Sequence, residues 1–383
     1  MKILSVFGTR PEAIKMAPLI HRLQSSDRFE SRVCVTGQHR EMLDQMLHLF
    51  KISPDHDLNI MSENQTLFDV TTQSLLKLQA VLAKEKPDCV LVQGDTTTTF
   101  VASLAAYYEN VPVAHIEAGL RTNNLRSPFP EEGNRSLVGR LANLHFAPTQ
   151  KAKDNLLLEN IADHNIHVTG NTVIDALLWV NNRVMNTDFS GMFGSAEIVL
   201  HSDLPIILIT GHRRENFGEG FQSLCKALSH LARAHPDWQF VYPVHLNPNV
   251  QSPVRKYLSE QGNIHLIPPL DYAPFVHLMN RAKLIITDSG GVQEEAPSLG
   301  KPVLVTRDIT ERSEAVEVGT AIVVGTDADK IIAETESLMS DSVRYARMAS
   351  VKNPYGDGKA AEKILKILEN SISSHGLTTG SKK

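Results

Sequence analysis

The sequence has little cysteine: Cys34, Cys89 and Cys225 are the only three in 383 residues. They form no CxxC pair and lie in apolar stretches, which predicts buried free thiols in a reducing compartment. Because no spaced set of cysteines and histidines is present, we expect no structural zinc and no other bound metal.

Long apolar runs are missing as well. No stretch approaches the roughly 18 apolar residues that a membrane-spanning helix needs, and Met1 to Val6 leads straight into a predicted strand without a basic segment. We therefore expect a cytoplasmic protein with no membrane partner. The formal net charge of −5 also argues against a nucleic-acid partner, although it is compatible with a local basic pocket.

Cofactor and nucleophile motifs are incomplete or absent. Gly218-Glu219-Gly220 with Ser223 is only a partial dinucleotide fingerprint, and Gly300-Lys301 lacks the upstream glycine of a P-loop. Neither HExxH nor GxSxG occurs. These absences argue against nicotinamide, nucleoside-triphosphate, metallohydrolase and serine-hydrolase chemistry, so we expect no cofactor.

The sequence does contain a regular alternation of short β-rich runs and amphipathic stretches, in two series. This alternation predicts an α/β protein with two Rossmann-like, doubly wound domains that face each other across a cleft. The predicted strands are Lys2 to Phe7, Arg32 to Thr36, Cys89 to Gln93, Val113 to Ile116, His145 to Ala147 and Ile166 to Thr169, then Pro205 to Thr210, Gln239 to Pro243, Asn263 to Ile267, Lys283 to Thr287, Pro302 to Thr306 and Ala321 to Val324.

The domain limits follow from the same pattern. A weak strand signal before Leu204 puts the domain break near Thr172. A turn-rich junction precedes the last amphipathic helix, and a polar stretch that we expect to be disordered follows it. The predicted parts are residues 1–171, residues 172–358, the helix over residues 359–370, and the tail over residues 371–383.

Polar residues follow the predicted strands in unusual number, and ligands of open α/β sheets bind beyond the carboxyl ends of strands. Ser289-Gly290-Gly291 precedes a helix expected from about Val292, which predicts a cradle for a diphosphate. Glu295, about one turn further, could accept hydrogen bonds from ribose hydroxyls; the alternative is a solvated carboxylate favoured by the helix dipole. Candidates for positive charge near the phosphates are Arg10, Lys15, His212 and Arg312.

Three acidic residues are candidates for proton transfer. Asp95 and Glu117 directly follow predicted strands, and Glu131 lies in a proline-bounded loop. Carboxylates gathered in one cleft raise one another's pKa and can divide acid and base roles. The alternatives are that Asp95 caps a helix and that Glu131 only starts one. We interpret His115 and His145 as core histidines and not as ligands.

Six motifs stand in order along the chain: Phe7-Gly8-Thr9-Arg10-Pro11-Glu12, Gly94-Asp95-Thr96-Thr97-Thr98-Thr99, His115-Ile116-Glu117-Ala118-Gly119-Leu120-Arg121, Pro130-Glu131-Glu132, Gly211-His212-Arg213-Arg214-Glu215 and Asp288-Ser289-Gly290-Gly291-Val292-Gln293-Glu294-Glu295. Together they closely resemble the non-hydrolysing UDP-N-acetylglucosamine 2-epimerases of bacteria. The resemblance runs from Lys2 to about Leu368.

The resemblance implies a GT-B-like fold with the terminal helix packing back on the first domain, and it implies a homodimer. It implies reversible interconversion of UDP-GlcNAc and UDP-ManNAc through 2-acetamidoglucal and UDP, for surface-polysaccharide synthesis. The implied catalytic residues are Asp95, Glu117, Glu131 and His212. The implied substrate-binding residues are Arg10, Lys15, Asp95, Glu117, His212, Leu270, Phe275, Ser289, Gly290, Gly291, Glu295 and Arg312.

The resemblance also implies a regulatory site, because some members bind a second UDP-GlcNAc as an activator. Glu41 and Asn64 stand where those members carry Gln and Arg. An added anion and a lost cation weaken diphosphate binding, so we expect weaker activation here. The matching positions are Gln38, Arg213, Glu215 and His245.

Three other functions stay open at this point. A hydrolysing epimerase would use the same elimination but release free ManNAc. A GT-B glycosyltransferase would need an acceptor site and would not exchange the C2 proton, and a UDP-sugar sensor would bind without reacting. The presence of Asp95, Glu117 and Glu131 together argues against the sensor.

Overall fold

The computed structural model describes residues 1–37, 40–62, 65–185 and 187–373. The chain divides into two compact units. The first unit consists of Met1–Ala176 and Tyr355–Lys383, and the second consists of Leu177–Pro354. The chain therefore leaves the first unit once and returns to it near its end.

Strands and helices alternate along the first unit, as the sequence pattern predicts. Its strands are β1 (Lys2–Phe7), β2 (Glu30–Val35), β3 (His56–Asp57), β4 (Cys89–Gln93), β5 (Val113–Ile116), β6 (Leu144–Ala147) and β7 (Ile166–Val168). Its helices are α1 (Arg10–Gln24), α2 (Arg40–Leu49), α3 (Leu67–Glu85), α4 (Thr97–Tyr108), α5 (Glu131–Leu141), α6 (Gln150–Leu158), the start of α7 (Thr172–Val184), and α16 (Ala360–Ser373).

Over the described ranges these strands form one seven-stranded sheet in the order β3-β2-β1-β4-β5-β6-β7. All pairs are parallel, and β1 lies between β2 and β4, with Val6 opposite Cys34 and Ile3 opposite Cys89. The strand order reverses between β1 and β4, so the turns after these two strands diverge and leave an opening. The two-residue strand β3 was missed in the sequence pattern because it is too short to show alternation.

The second unit repeats this plan. Over its described residues, six parallel strands lie in the order β10-β9-β8-β11-β12-β13, and the order reverses between β8 and β11. Its strands are β8 (Ile206–Thr210), β9 (Gln239–Pro243), β10 (Ile264–Ile267), β11 (Leu284–Thr287), β12 (Val303–Val305) and β13 (Ala321–Val323). Its further helices are α8 (Glu197–Leu200), α9 (Glu219–Ala234), α10 (Pro248–Leu258), α11 (Tyr272–Arg281), α12 (Gly290–Glu295), α13 (Ser313–Val318), α14 (Ala328–Ser340) and α15 (Ser342–Ala349).

Buried apolar residues explain why both sheets are parallel. All five residues of β4 and all four of β11 are buried, and strands with helices on both faces show such continuous apolar runs. The predicted α/β class with two Rossmann-like, doubly wound sheets is confirmed.

The last helix belongs to the first unit. Helix α16 packs against α1, and the carboxylate of Asp175 accepts hydrogen bonds from the backbone N–H groups of Ala360 and Ala361. Two of its apolar side chains, Ile364 and Leu368, are fully buried. The helix continues to Ser373, so the prediction of a polar tail from Ser371 is wrong for its first residues; residues 374–383 lie outside the described part.

Helix length and hydropathy bear on the membrane prediction. Among the helices of the described residues, none is both long enough and apolar enough to cross a membrane.

Candidate active site

Asp95 lies where the strand order of the first sheet reverses, between β4 and α4. The N-cap of α4 is Thr96, whose hydroxyl accepts the N–H of Thr99, so the alternative that Asp95 caps this helix is wrong. Instead its carboxylate lies 3.3 Å from the guanidinium of Arg135 on α5. Asn134, the neighbour of Arg135, donates a hydrogen bond to the Asp95 carbonyl at 3.0 Å.

The environment of Asp95 favours its protonated form. Burial raises the pKa of Asp95 to about 6, and the charge of Arg135 opposes this rise while Glu117 and Glu131 add to it. A carboxyl group that titrates near neutral pH can both accept and release a proton during a reaction. The electrostatic influence of Glu117 and Glu131 shows that the fold brings the three predicted carboxylates together.

Glu117 has a different environment, because hydrogen-bond donors surround its carboxylate. Lys15 donates to one oxygen at 2.5 Å and Asn171 to the same oxygen at 2.9 Å, while Gln93 donates to the other. The backbone of Glu117 is left-handed, with φ of 64°, which is uncommon for a residue with a side chain. Donors of this number favour the ionised carboxylate, so Glu117 suits stabilisation of positive charge.

Glu131 is the first residue of α5, as its structural alternative predicts. Its Oε2 atom is buried and, within the described residues, has no hydrogen-bond partner. An unsatisfied buried acceptor is costly, and in native proteins it is explained by a catalytic role, strain, or a bound water or ion. A helix start and a role in chemistry are therefore compatible for Glu131.

Glu12 holds two of these turns in place, a role that the motif alone does not indicate. One carboxylate oxygen accepts the backbone N–H groups of Gly8 and Thr9, each at 2.8 Å. The other accepts the hydroxyls of Thr96 and Thr99. Glu12 thereby ties the turn after β1 to the turn after β4, the two turns that flank the opening.

Sequence reasoning missed several other residues of this site. Gln93 and Asn171 stand at the carboxyl ends of β4 and β7, so the rule that selected Asp95 and Glu117 would also have selected them. Arg135 lies four residues after Glu131, one helical turn away on the same face of α5. Its guanidinium contacts Glu132 as well as Asp95, with Nε donating to Glu132 at 2.6 Å.

His115 and His145 are core residues, as predicted. Each is 1% exposed, and burial lowers the pKa of His115 to about 3 and that of His145 to about 4. The Nε2 atom of His115 bonds to the carbonyl of Gly94 at 2.7 Å. Both rings are therefore neutral near pH 7.

In the second unit, the predicted anion cradle lies where its strand order reverses. Helix α12 begins at Gly290, earlier than expected, with Ser289 as its N-cap, and the first N–H groups of a helix have no partner inside it. A Cβ atom on Gly290 would lie 3.6 Å from Cζ of Arg312. The Arg312 guanidinium also bonds to Glu294 at 2.6 Å, so a cation is held beside the cradle.

Glu295 is the last residue of α12 and is only 6% exposed. The alternative that it is a solvated carboxylate is therefore wrong. The hydroxyl of Tyr272 on α11 donates a hydrogen bond to it. Phe275 lies on the same helix and Leu270 just before it, and both are partly exposed, as apolar groups that contact a ligand would be.

His212 follows β8 and lies beside this cradle. Its Nδ1 atom is 3.4 Å from the carboxylate of Asp288, and its ring stacks on that of His245 with centroids 5.4 Å apart. Burial lowers the pKa of His212, the charge of Asp288 raises it, and Arg213 and His245 lower it further. Arg10, the first residue of α1 in the other unit, is partly exposed.

The predicted regulatory residues are only partly described. Glu215 forms an ion pair with Arg307 at 2.5 Å, and His245 stacks on His212. Gln38 and Asn64 lie outside the described residues. The regulatory site therefore stays a prediction.

Comparison with known proteins agrees with these features. The family model described as UDP-N-acetylglucosamine 2-epimerase matches residues 21–369. A UDP-N-acetylglucosamine 2-epimerase of Yersinia pestis is 58% identical, over 97% of this chain and 99% of its own length. One from Escherichia coli K12 is 57% identical, with the same coverage of both chains. The crystal structure of UDP-GlcNAc 2-epimerase from Neisseria meningitidis bound to UDP-GlcNAc is 53% identical, covers 97% of this chain and 100% of its own, and superimposes with a TM-score of 0.89. The chain belongs to the UDP-N-acetylglucosamine 2-epimerase family.

Proposed function

We propose that this protein interconverts UDP-GlcNAc and UDP-ManNAc by inverting C2 of the sugar. The observation that carries the proposal is the carboxylate group of the first unit. Asp95 titrates near neutral pH, Glu117 is surrounded by donors, and Glu131 has a buried oxygen without a partner in the described structure. Membership of the epimerase family supports the same reaction.

The chemistry explains why several carboxylates are needed. The C2–H bond of the sugar has no adjacent carbonyl, so a carboxylate cannot remove its proton directly. When the C1–O bond to UDP breaks, positive charge develops at C1 and the C2 proton becomes acidic. Removal of that proton gives 2-acetamidoglucal and UDP. Protonation of C2 on the opposite face and return of UDP to C1 then give the epimer.

The residues of the first unit suit the steps at the sugar ring. Asp95 and Glu131 are proposed to carry the C2 protons, because one titrates near neutral pH and the other has an open acceptor. Glu117, whose carboxylate accepts hydrogen bonds from Lys15, Gln93 and Asn171, is proposed to stabilise the positive charge at C1. Lys15 bonds to Glu117 and keeps it in place.

The residues of the second unit suit the nucleotide. Ser289, Gly290 and Gly291 with Arg312 are proposed to bind the diphosphate, because backbone N–H groups and a guanidinium both favour an anion. Glu295 is proposed to accept hydrogen bonds from the ribose. His212 is proposed to stabilise the departing diphosphate.

Proton NMR of UDP-GlcNAc incubated with the purified protein in deuterated water tests the reaction. We expect UDP-ManNAc to appear, with deuterium at C2 of both epimers, because the removed proton exchanges with solvent. Retention of the original hydrogen would contradict the elimination route. Accumulation of free ManNAc would instead support a hydrolysing epimerase, and absence of any product would support a sensor.

A homodimer is a further part of the proposal. Helices α3, α4 and α5 pack side by side, and each carries exposed large apolar side chains. Phe68 is 83% exposed and Tyr108 63%, which is unusual unless a partner covers them. Light scattering should give twice the mass of the 42.4 kDa chain, and Phe68→Asp should reduce it to one chain.

The cellular role and location stay proposals as well. We propose that UDP-ManNAc made by this protein serves surface-polysaccharide synthesis, which loss of that polysaccharide in a deletion strain would test. All three cysteines are free and buried, which supports a reducing, cytoplasmic location.

A further inference from the structure

Asp288 is a buried carboxylate to which the proposed reaction gives no role. It follows β11 and is 1% exposed. Its Oδ2 atom accepts the backbone N–H groups of His212 and Arg213, both at 2.8 Å. Asp288 therefore fixes the backbone of the turn after β8 from the neighbouring strand of the sheet.

The second oxygen of Asp288 is directed at the His212 ring. Oδ1 lies 3.4 Å from Nδ1 of His212. It is buried and accepts no hydrogen bond from the rest of the described chain. Because an unsatisfied buried acceptor is costly, the imidazole is the group available to satisfy it.

The protonation state and the tautomer of the His212 ring depend on its contact with Asp288. The charged or titratable groups that face it are Asp288 after β11, Arg213 in the same turn and His245 after β9. Burial lowers the pKa of His212, and Asp288 is the one of these three groups that raises it. Near pH 7 the free ring is therefore neutral, and the nitrogen that carries its one proton depends on its partner.

We propose that Asp288 is a positioning residue that accepts Nδ1–H of His212 and so sets the tautomer and orientation of the ring. The Nε2 atom then has a lone pair and, among the described residues, no hydrogen-bond partner. When an anionic diphosphate arrives, Nε2 takes up one proton from solvent and keeps it, and the Nε2–H donates a hydrogen bond to a phosphate oxygen while Asp288 stabilises the imidazolium through Nδ1–H. The inference rests on the proposed function in one respect, that His212 contacts the diphosphate.

Asp288→Asn tests the proposed role of Asp288, because the two side chains have nearly the same size and shape. The amide oxygen can still accept the N–H groups of His212 and Arg213, while the amide NH2 replaces Oδ1. An NH2 group donates to Nδ1, so the ring proton moves to Nε2 and the imidazolium loses its acceptor. Asp341→Asn is the matched control, because Asp341 also accepts two backbone N–H groups, from Val343 and Arg344, and is the N-cap of α15.

The first readout is nitrogen NMR of the protein labelled in its sixteen histidines, with His212 assigned from a His212→Gln sample. The native protein should show the Nδ1–H tautomer at His212, and Asp288→Asn should show Nε2–H. The Asp341→Asn spectrum should match the native one. An Nε2–H tautomer in the native protein would overturn the proposal, and this result does not depend on activity.

The second readout is the uptake of protons when UDP binds, from calorimetry near pH 7 in two buffers of different ionisation enthalpy. The native protein and Asp341→Asn should take up a proton on binding, and Asp288→Asn should take up much less. Equal uptake in all three proteins would overturn the proposal.

The third readout separates positioning from a purely structural role. Asp288→Asn should lower kcat/KM at least about tenfold. In a protein that already carries His212→Gln, Asp288→Asn should not lower kcat/KM further, since the effects of residues that act as one unit are not additive. If Asp288→Asn lowered kcat/KM equally in the native protein and in the His212→Gln variant, Asp288 would have a structural role alone. If the native protein lacks epimerase activity, the proposed function fails, while the ring tautomer and the proton uptake still decide this inference.

Discussion

At the scale of single residues, the acidic side chains of the first unit differ in how fully their charge is compensated. Glu12 accepts hydrogen bonds from Gly8, Thr9, Thr96 and Thr99. Glu117 accepts hydrogen bonds from Lys15, Gln93 and Asn171 among its contacts. Asp95 forms an ion pair with Arg135. Donors favour the ionised form and burial favours the protonated one. The fold therefore surrounds Glu12 and Glu117 with donors, whereas burial raises the pKa of Asp95 to about 6.

Asp95→Asn should make the unliganded protein more stable above pH 6 while abolishing turnover. The pKa of Asp95 rises from 3.8 to about 6 in the fold, so ionising it costs stability as pH rises through this interval, and Asn avoids that cost. One pKa unit is about 1.4 kcal/mol, and because the side chain is 30% exposed, screening reduces the expected gain to about 1–2 kcal/mol. Urea unfolding between about pH 3 and pH 8 measures it.

The decisive measurement is how the stability gained by Asp95→Asn depends on pH. It should be absent below pH 3.8, grow up to about pH 6 and then stay constant. Asp163→Asn is the control of opposite sign, because the hydrogen bond from Lys153 lowers the pKa of Asp163, so removing this carboxylate should cost stability as pH rises through its pKa. A gain that did not change with pH would contradict the assigned pKa.

The contribution of Glu12 to stability should depend on its hydrogen bonds more than on its charge. Glu12→Ala leaves two backbone N–H groups and two hydroxyls without their acceptor, and should cost about 3–5 kcal/mol. Glu12→Gln keeps an oxygen for the N–H groups and can donate its amide hydrogens to the threonine hydroxyls, so it should cost less than half as much. Chemical unfolding of the two variants measures the difference, and equal losses would show that the charge is essential.

At the scale of elements, the turns after the strands require backbone geometry that only certain residues tolerate. Gly119 lies two residues after Glu117 with φ of +92°, and a Cβ atom there would come within 2.1 Å of the Ala152 carbonyl oxygen in α6. Gly8 has a similar role after β1, where a Cβ would meet the Thr36 hydroxyl at 1.9 Å. These glycines let a helix and a turn approach closely enough to set the direction of the adjacent side chains.

Two glycine-to-alanine variants should therefore have opposite effects. Gly119→Ala should destabilise the protein by about 3 kcal/mol or more and reduce activity, because backbone atoms must move. Gly133→Ala should stabilise it by up to about 1 kcal/mol, because Gly133 lies within α5 with open space at its Cβ position and alanine favours a helix. Thermal unfolding of both variants measures the two changes in stability. A lower stability of Gly133→Ala would contradict the open space at its Cβ position.

At the scale of the whole molecule, the two units have the same strand plan but different chemistry at the point of reversal. The first gathers carboxylates after β1, β4 and β5, and the second gathers glycines and cations after β8 and β11. We infer that the first unit moves protons and that the second binds the nucleotide.

Separate variants should divide these two tasks. Glu131→Gln should lower turnover at least about 100-fold and keep the rise in melting temperature that UDP produces, because it leaves the second unit unchanged. Glu295→Gln should reduce that rise, since ligand stabilisation follows UDP affinity, although Tyr272 can still donate to the new amide oxygen. If Glu131→Gln also lost the UDP-induced rise, the division of tasks would be wrong.

The sequence determined the elements of this protein and the order of its motifs. Apolar runs such as Cys89 to Gln93 and Gln239 to Pro243 match the observed strands residue for residue, because local periodicity and turn residues encode such elements directly. The strand-end rule also selected Asp95, Glu117 and Ser289 from the sequence, because every parallel strand places its following residues at the same edge of a sheet.

Only the tertiary structure decided which partner each of these residues has. Gln93 and Asn171 lie 24 and 54 residues from Glu117, and Asp288 lies 76 residues from His212. Such pairs depend on strand order and helix packing, which arise from the burial of many side chains together and leave no periodic signal near either residue. The protonation of Asp95 and the direction of the His212 ring are consequences of that packing.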